Sequence, residues 1–247
     1  MGVRRSAEYT LAMFVGHFGV AFAAKRIAPR ASLPLLLVAG TFLDLLWPVL
    51  LLAGVEHVRI DPGNTAFTPL DFTSYPWSHS ALTTLGWGAL FGGVVLAVTR
   101  DRAAALATGA LVASHWVLDL VSHRPDLPLW PEGPKAGLGL WNSIPATLLV
   151  EGALFVGGVW LYARATRPRR AAGRWALAVL VVLLAGPYVA DAFAGTPPPS
   201  GEVVAWVNLG GAALTFALAL WVEPTRTTAG APASARASAG SAQARGD

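Results

Sequence analysis

Apolar positions along this chain come in long blocks, and polar positions fall mostly between them. Seven blocks reach or approach the ~20 residues needed to cross a bilayer: 9–28, 33–55, 79–99, 103–123, 144–163, 175–194 and 203–222. This pattern predicts an all-α, polytopic transmembrane helical bundle of about seven spans. The first block is the shortest in apolar terms, because it ends on Lys25 and Arg26, whose long side chains are expected to snorkel to an interface. No signal peptide is expected: the block lacks a small-residue cleavage site and runs into that basic pair.

Composition supports the same class. Hydrophobic residues make up 54% and charged residues 13%, against about 25% charged in a soluble domain. That disfavours a soluble enzyme, a disordered chain and a free nucleic-acid binder. With no cysteine, disulfide frameworks, zinc fingers and thiol catalysis are excluded. The net charge of +4 reads as a topology signal. Its densest cluster is Arg164, Arg167, Arg169, Arg170 and Arg174, between the fifth and sixth blocks. The positive-inside rule then predicts the N-terminus outside and the C-terminus in the cytoplasm. The expected location is the cell membrane, with membrane lipids as partners and no nucleic acid. Residues 223–247 are rich in Ala, Gly, Ser, Thr and Arg and predict a disordered cytoplasmic tail. The working domain is then 1–222.

The informative residues are the polar ones inside the apolar blocks. An ionisable group in a bilayer costs about 2.5–3.5 kcal/mol on the insertion scale and is a functional candidate by default. His17 lies in the first block, Asp44 in the second, His79 at the start of the third, and His115 and Asp119 in the fourth, with His123 at its end. Glu151 lies in the fifth and Asp191 near the end of the sixth. At 1.5 Å per residue, His17, Asp44, His115 and Glu151 sit roughly 12–15 Å below the outer boundary. Asp119, His79 and His123 form a ladder toward the mouth.

His115, Asp119 and His123 are spaced i, i+4, i+8, which predicts one helix face. Such a face offers imidazole nitrogen and carboxylate oxygen to one cation, a donor set that suits zinc. Pro48 stands four residues after Asp44 and predicts a kink that frees the Asp44 carbonyl. Glu151 reads as a ligand, a general base or a partner orienting a ligating His. Asp191 reads as structural, and His57 as a solvated loop residue.

Two loops lie on the predicted outer side. In loop 56–78, Asp61-Pro62-Gly63-Asn64 is a turn signal. Ser78 is expected to cap the third span, placing His79 in its first turn. Loop 124–143 combines four prolines with Trp130 and Trp141. These tryptophans, with Trp47 and Trp77, are expected at the membrane interface. Together the loops are expected to roof the polar layer.

Four short motifs occur in order: Gly16-His17, Gly40-Thr41-Phe42-Leu43-Asp44, Ser78-His79-Ser80 and Ser114-His115-Trp116-Val117-Leu118-Asp119. The set resembles the YdjM-like family of predicted bacterial membrane-bound metal-dependent hydrolases, over about residues 13–123. The resemblance implies His17, Asp44, His79, His115 and Asp119 as metal ligands, and a bacterial inner-membrane location. It departs from the family at Asp44, a single carboxylate where the family pattern carries two. The resulting expectation is a metal-dependent hydrolase with an outward-facing site, its metal-site core at about 13–163. It would hold a divalent ion, zinc or else manganese, with Glu151 or His123 moving protons. Its substrate would be a small molecule, a lipid or a lipid-linked phosphoester. The same residues also fit a proton- or cation-coupled transporter, or a structural protein with buried polar pairs.

Overall fold

The computed structural model describes residues 15–229. Its helices are α1 (Val15–Ala23), α2 (Leu33–Gly40), α3 (Phe42–Leu52), α4 (Pro76–His79), α5 (Ala81–Thr99), α6 (Arg102–Ser122), α7 (Ile144–Ala165), α8 (Ala172–Ala194) and α9 (Gly201–Val222). Three two-stranded antiparallel ribbons join them: β1 (His57–Ile60) with β2 (Leu70–Ser74), β3 (Leu127–Pro128) with β4 (Lys135–Ala136), and β5 (Thr166–Pro168) with β6 (Arg226–Thr228).

The helix starts follow from local chemistry. Ser32, Ser143 and Ser200 accept N-terminal amides of α2, α7 and α9, and Asp101 accepts two from α6. Each satisfies donors that the first helical turn leaves open.

Five helices, α5 to α9, are long and apolar enough to cross a membrane. The pair α2 and α3 makes a sixth if the bent pair is one span. Large apolar side chains point outward, with Val98 at 78%, Leu106 at 75% and Leu149 at 73% exposure. An exterior this apolar needs hydrocarbon around it, which marks an integral, multi-pass membrane protein. The seventh expected span, 9–28, begins outside the described residues, and its described part is the short α1.

Several local expectations are corrected. The second span does bend, by 57°, but at Thr41 between α2 and α3; α3 continues through Pro48. The break falls at Thr41, which leaves helical conformation while its amide and hydroxyl both bond the Leu37 carbonyl, the hydroxyl at 2.9 Å. Lys25 does not snorkel; it is buried, donates to the Ala31 carbonyl at 2.6 Å and lies 3.6 Å from Glu223. The expected tail begins later than residue 223. Glu223 caps α2 by accepting the Leu33 amide at 2.7 Å, and β6 pairs with β5. Arg226 is buried and donates to Thr166 and to the Gly173 carbonyl. The remainder of that tail lies outside the described residues.

α1 packs along α7 at backbone contact. A Cβ on Gly158 would lie 1.9 Å from the Gly19 carbonyl oxygen, and one on Gly19 would lie 2.4 Å from that of Leu154. Small residues at such crossings let membrane helices approach closely. Gly158→Ala is therefore expected to push the two helices apart. Overpacking of this kind costs about 1–3 kcal/mol, read as a lower midpoint of thermal unfolding in detergent, while Gly157→Ala, which meets nothing within 4 Å, leaves the midpoint unchanged.

Candidate metal centre

Four elements bring five side chains together: His17 from α1, Asp44 from α3, His79 from α4, and His115 and Asp119 from α6. Helical spacing does the first part of the work. His115 and Asp119 face each other across one turn, with Nε2 3.3 Å from Oδ2. His115 Nε2 also lies 3.6 Å from Asp44 Oδ1. His79 Nε2 lies 3.7 Å from Asp119 Oδ2 and 3.9 Å from Asp44 Oδ1. His17 Nε2 bonds Asp119 Oδ1 at 3.1 Å, and its ring stacks on His115 with centroids 3.8 Å apart.

These atoms form two groups, His17–Asp44–His115 and His79–His115–Asp119, each with all donor atoms within 4.8 Å of one another. Tetrahedral ligands held 2.0–2.1 Å from zinc lie about 3.3 Å apart. The spacing in this cluster is close to that of a coordination shell, and His115 belongs to both groups.

Proton placement strengthens the case. His115 Nδ1 lies 3.1 Å from the Gly40 carbonyl, which can only accept. Nδ1 therefore carries a hydrogen, and Nε2 is the nitrogen that faces inward, where a cation would take the place of its proton. The same follows for His79. Ser78 Oγ donates to Glu56 Oε2 at 2.6 Å and so accepts from His79 Nδ1 at 2.7 Å. Two imidazole Nε2 atoms thus face two carboxylates. His115 Nε2 and Asp119 Oδ2 are buried and make no hydrogen bond among the described residues. Buried polar atoms are nearly always satisfied, and a cation at this point satisfies both. These residues fit a divalent ion.

Glu56, which sequence reasoning passed over, organises the roof of the site. It is fully buried and accepts from the amides of Trp77 and Ser78 at 2.8 Å each, besides the Ser78 hydroxyl. Burial pushes its pKa up, and the Ser78 hydroxyl and the two amides hold that rise back. Nothing in its spacing marks it, since its partners lie across the β1–β2 hairpin. Ser78 thus orients His79 and does not cap the third span. Ser80 takes the cap, accepting from the Thr83 amide, and His79 closes the separate turn α4.

The roof expected from the loops is present. Tyr75, Phe72, Leu127 and Trp141 form a buried cluster with Trp47. Trp47 and Trp141 are therefore core residues, corrected from the interface position expected for them; Trp47 packs on Phe72 with centroids 5.3 Å apart. Trp77 and Trp130 are exposed. The Asp61–Asn64 turn is as expected, closed by the Asn64 amide on the Asp61 carbonyl.

His123 does not extend the His115–Asp119 face. It is the C-cap of α6, in extended conformation, and its Nδ1 bonds Asp126 Oδ1 at 2.9 Å. It still lines a small cavity of about 10 Å3 above the cluster, with Asp44, His79 and Asp119. Burial raises the Asp126 pKa, but the hydrogen bond and charge of His123 and the hydrogen bonds of Tyr75 and Arg124 together outweigh it, so the carboxyl stays below the usual range. Tyr75, whose hydroxyl donates to Asp126 at 3.0 Å, is pushed well above its ordinary value by burial.

Glu151 lies on the opposite side of His17. It lines a separate cavity of about 70 Å3 with His17 and Ser122, and Trp141 and Tyr188 face its carboxyl. Asp71 pairs with Arg59 and Arg124 and stands outside the cluster. Asp191, at the end of α8, and His57, exposed on β1, are also elsewhere. Comparison of the chain with protein-family models, curated proteins and solved structures returns no match.

Proposed function

We propose that this protein is a membrane-embedded, metal-dependent hydrolase whose site opens toward the outer side of the bilayer and acts on a lipid phosphoester. One observation carries the reading: three imidazoles and two carboxylates converge at coordination spacing, with His79 and His115 held at Nδ1 so that their Nε2 atoms point inward. His17, Asp44, His79, His115 and Asp119 would hold a divalent ion, zinc by donor type. When bound, such an ion supplies Lewis-acid polarisation of the ester and activation of water near neutral pH.

The remaining work falls to the chain's own groups. His123, oriented by Asp126, stands on the cavity side and handles the proton. Glu151 lines a different cavity, with His17 and Ser122, and is given no proton-transfer step. The tryptophan-lined roof limits water access over the cluster. The resemblance of the four sequence motifs to the YdjM-like hydrolases points the same way.

The test uses full-length protein in proteoliposomes containing a panel of phospholipids. Zinc-loaded protein is expected to release phosphate or a water-soluble phosphorylated head group from at least one of them. A chelator lowers the rate at least tenfold, and added zinc restores it. Stoichiometric metal with no hydrolysis of any phosphoester overturns the hydrolase reading. No bound metal, even after reconstitution with zinc or manganese, overturns the metal site as well.

A further inference from the structure

An apolar cleft opens between the α2–α3 bend and α9. Its volume is about 30 Å3, narrow enough to suit a single chain. Leu37, Val38, Leu45 and Ala212 line its length, and Asp44 and Asn208 form its polar end. The small cavity above the ligand cluster is bounded by the same two residues, together with His79, Asp119 and His123. Asp44, itself one of the donors, and Asn208 therefore form the wall between the cleft and the rest of the cluster.

Two features of this wall point to a ligand. Asp44 is the accessible member of the cluster: its side chain is 22% exposed, against 6% for His79 and 1% for His115. Asn208 sits mid-way along α9, a helix apolar enough to cross a membrane, and is half-buried where the cleft and the small cavity meet. An amide in the hydrocarbon layer is costly without a partner. The medium outside the cleft is also hydrocarbon, because α9 and the bent pair are among the candidate spans.

We infer that the cleft receives the hydrocarbon chain of a lipid, and that Asn208 positions that lipid's phosphoester head on the metal donors, so that the substrate enters sideways from the bilayer. The inference rests on the metal reading above for its chemistry, though not for the route. A hydrocarbon chain matches the apolar lining, and a phosphate oxygen matches both a cation beside Asp44 and the amide N–H of Asn208. Asn208 is a positioning residue and is not assigned a chemical step. It lies outside the stretch that carries the family resemblance.

The experiment uses full-length protein in phosphatidylcholine nanodiscs. A trace of phosphatidic acid with a diazirine near the end of one acyl chain is added, the sample is irradiated, and labelled peptides are mapped. Label is expected on residues 37–45 and 208–216, at several times the level on the lipid-facing residues Val98 and Leu106. Unlabelled phosphatidic acid competes with it, and phosphatidylcholine does not. Ala212→Trp, which fills the cleft, cuts this label at least tenfold with bound metal unchanged. Asn208→Leu keeps the cleft apolar and weakens the competition by phosphatidic acid about tenfold.

Cleft label no stronger than that on Val98 and Leu106 overturns the inference. Label untouched by Ala212→Trp in a folded, metal-bound variant does the same. Unaltered competition in Asn208→Leu overturns the role of Asn208. A failure of the metal reading is seen separately, as protein without bound metal; cleft labelling in that protein supports the lateral route by itself.

Discussion

His115→Ala is expected to leave the protein without bound metal. His115 Nε2 belongs to both donor groups, so its loss reduces each to two members. Losing a partner outside the coordination shell already costs about 10–100-fold in affinity, and losing a shared ligand is expected to cost more than 100-fold. The measurement is metal content by inductively coupled plasma mass spectrometry, on protein purified in mild detergent without chelator. Wild type is expected near one metal per chain or above, and His115→Ala near background. Asp119→Asn is the companion variant. It keeps the side-chain volume but replaces an oxygen that contacts His79 and His115 with a poorer donor. Metal retained in both variants would place the ion elsewhere and overturn the centre.

Glu56→Gln is expected to weaken metal binding about 10–100-fold without touching the cluster. Glu56 now accepts from two backbone amides and from the Ser78 hydroxyl. In the glutamine variant the carbonyl oxygen keeps the two amides, and the NH2 group faces Ser78 Oγ. Ser78 then accepts from the glutamine and donates to His79 Nδ1. That reversal moves the His79 hydrogen to Nε2, where it points at Asp44 and Asp119 and blocks coordination. The readout is zinc affinity by competition with a chelating dye, beside the unfolding midpoint. Affinity falls while the midpoint stays close to wild type. Glu56→Ala differs in kind: it strands two backbone donors, at about 1–3 kcal/mol for each buried one, and lowers the midpoint as well. Unchanged zinc affinity in Glu56→Gln would show that the Glu56–Ser78–His79 chain does not set the tautomer.

Much of the architecture was legible in residue order. Apolar block length located α5 to α9 within a few residues, because a bilayer demands a set length of helix from any sequence. Four of the five candidate ligands were legible for a related reason: charge inside an apolar block is costly, so His17, Asp44, His115 and Asp119 stood out, while His79 was marked by the Ser78-His79-Ser80 motif. Spacing misled where a helix stopped early. His123 continues the i+4 series on paper, but α6 ends at Ser122 and the chain turns toward Asp126. Pro48 misled in the same way, because the bend falls at Thr41.

The sequence by itself determined the membrane-spanning class, the helix lengths and the pairing of His115 with Asp119, since each depends only on neighbours within a turn or on total apolar length. The tertiary structure alone decided which nitrogen of each histidine faces the centre, which carboxyl of the cluster is most exposed, and which residues line the cavities beside it. His115 takes its orientation from a carbonyl 75 residues away and Ser78 from a carboxylate 22 residues away. Asn208 reaches the cluster only because α9 packs against α3. Hydrogen bonds and cavities between distant segments have no period along the chain, so they become visible only when the helices are brought together.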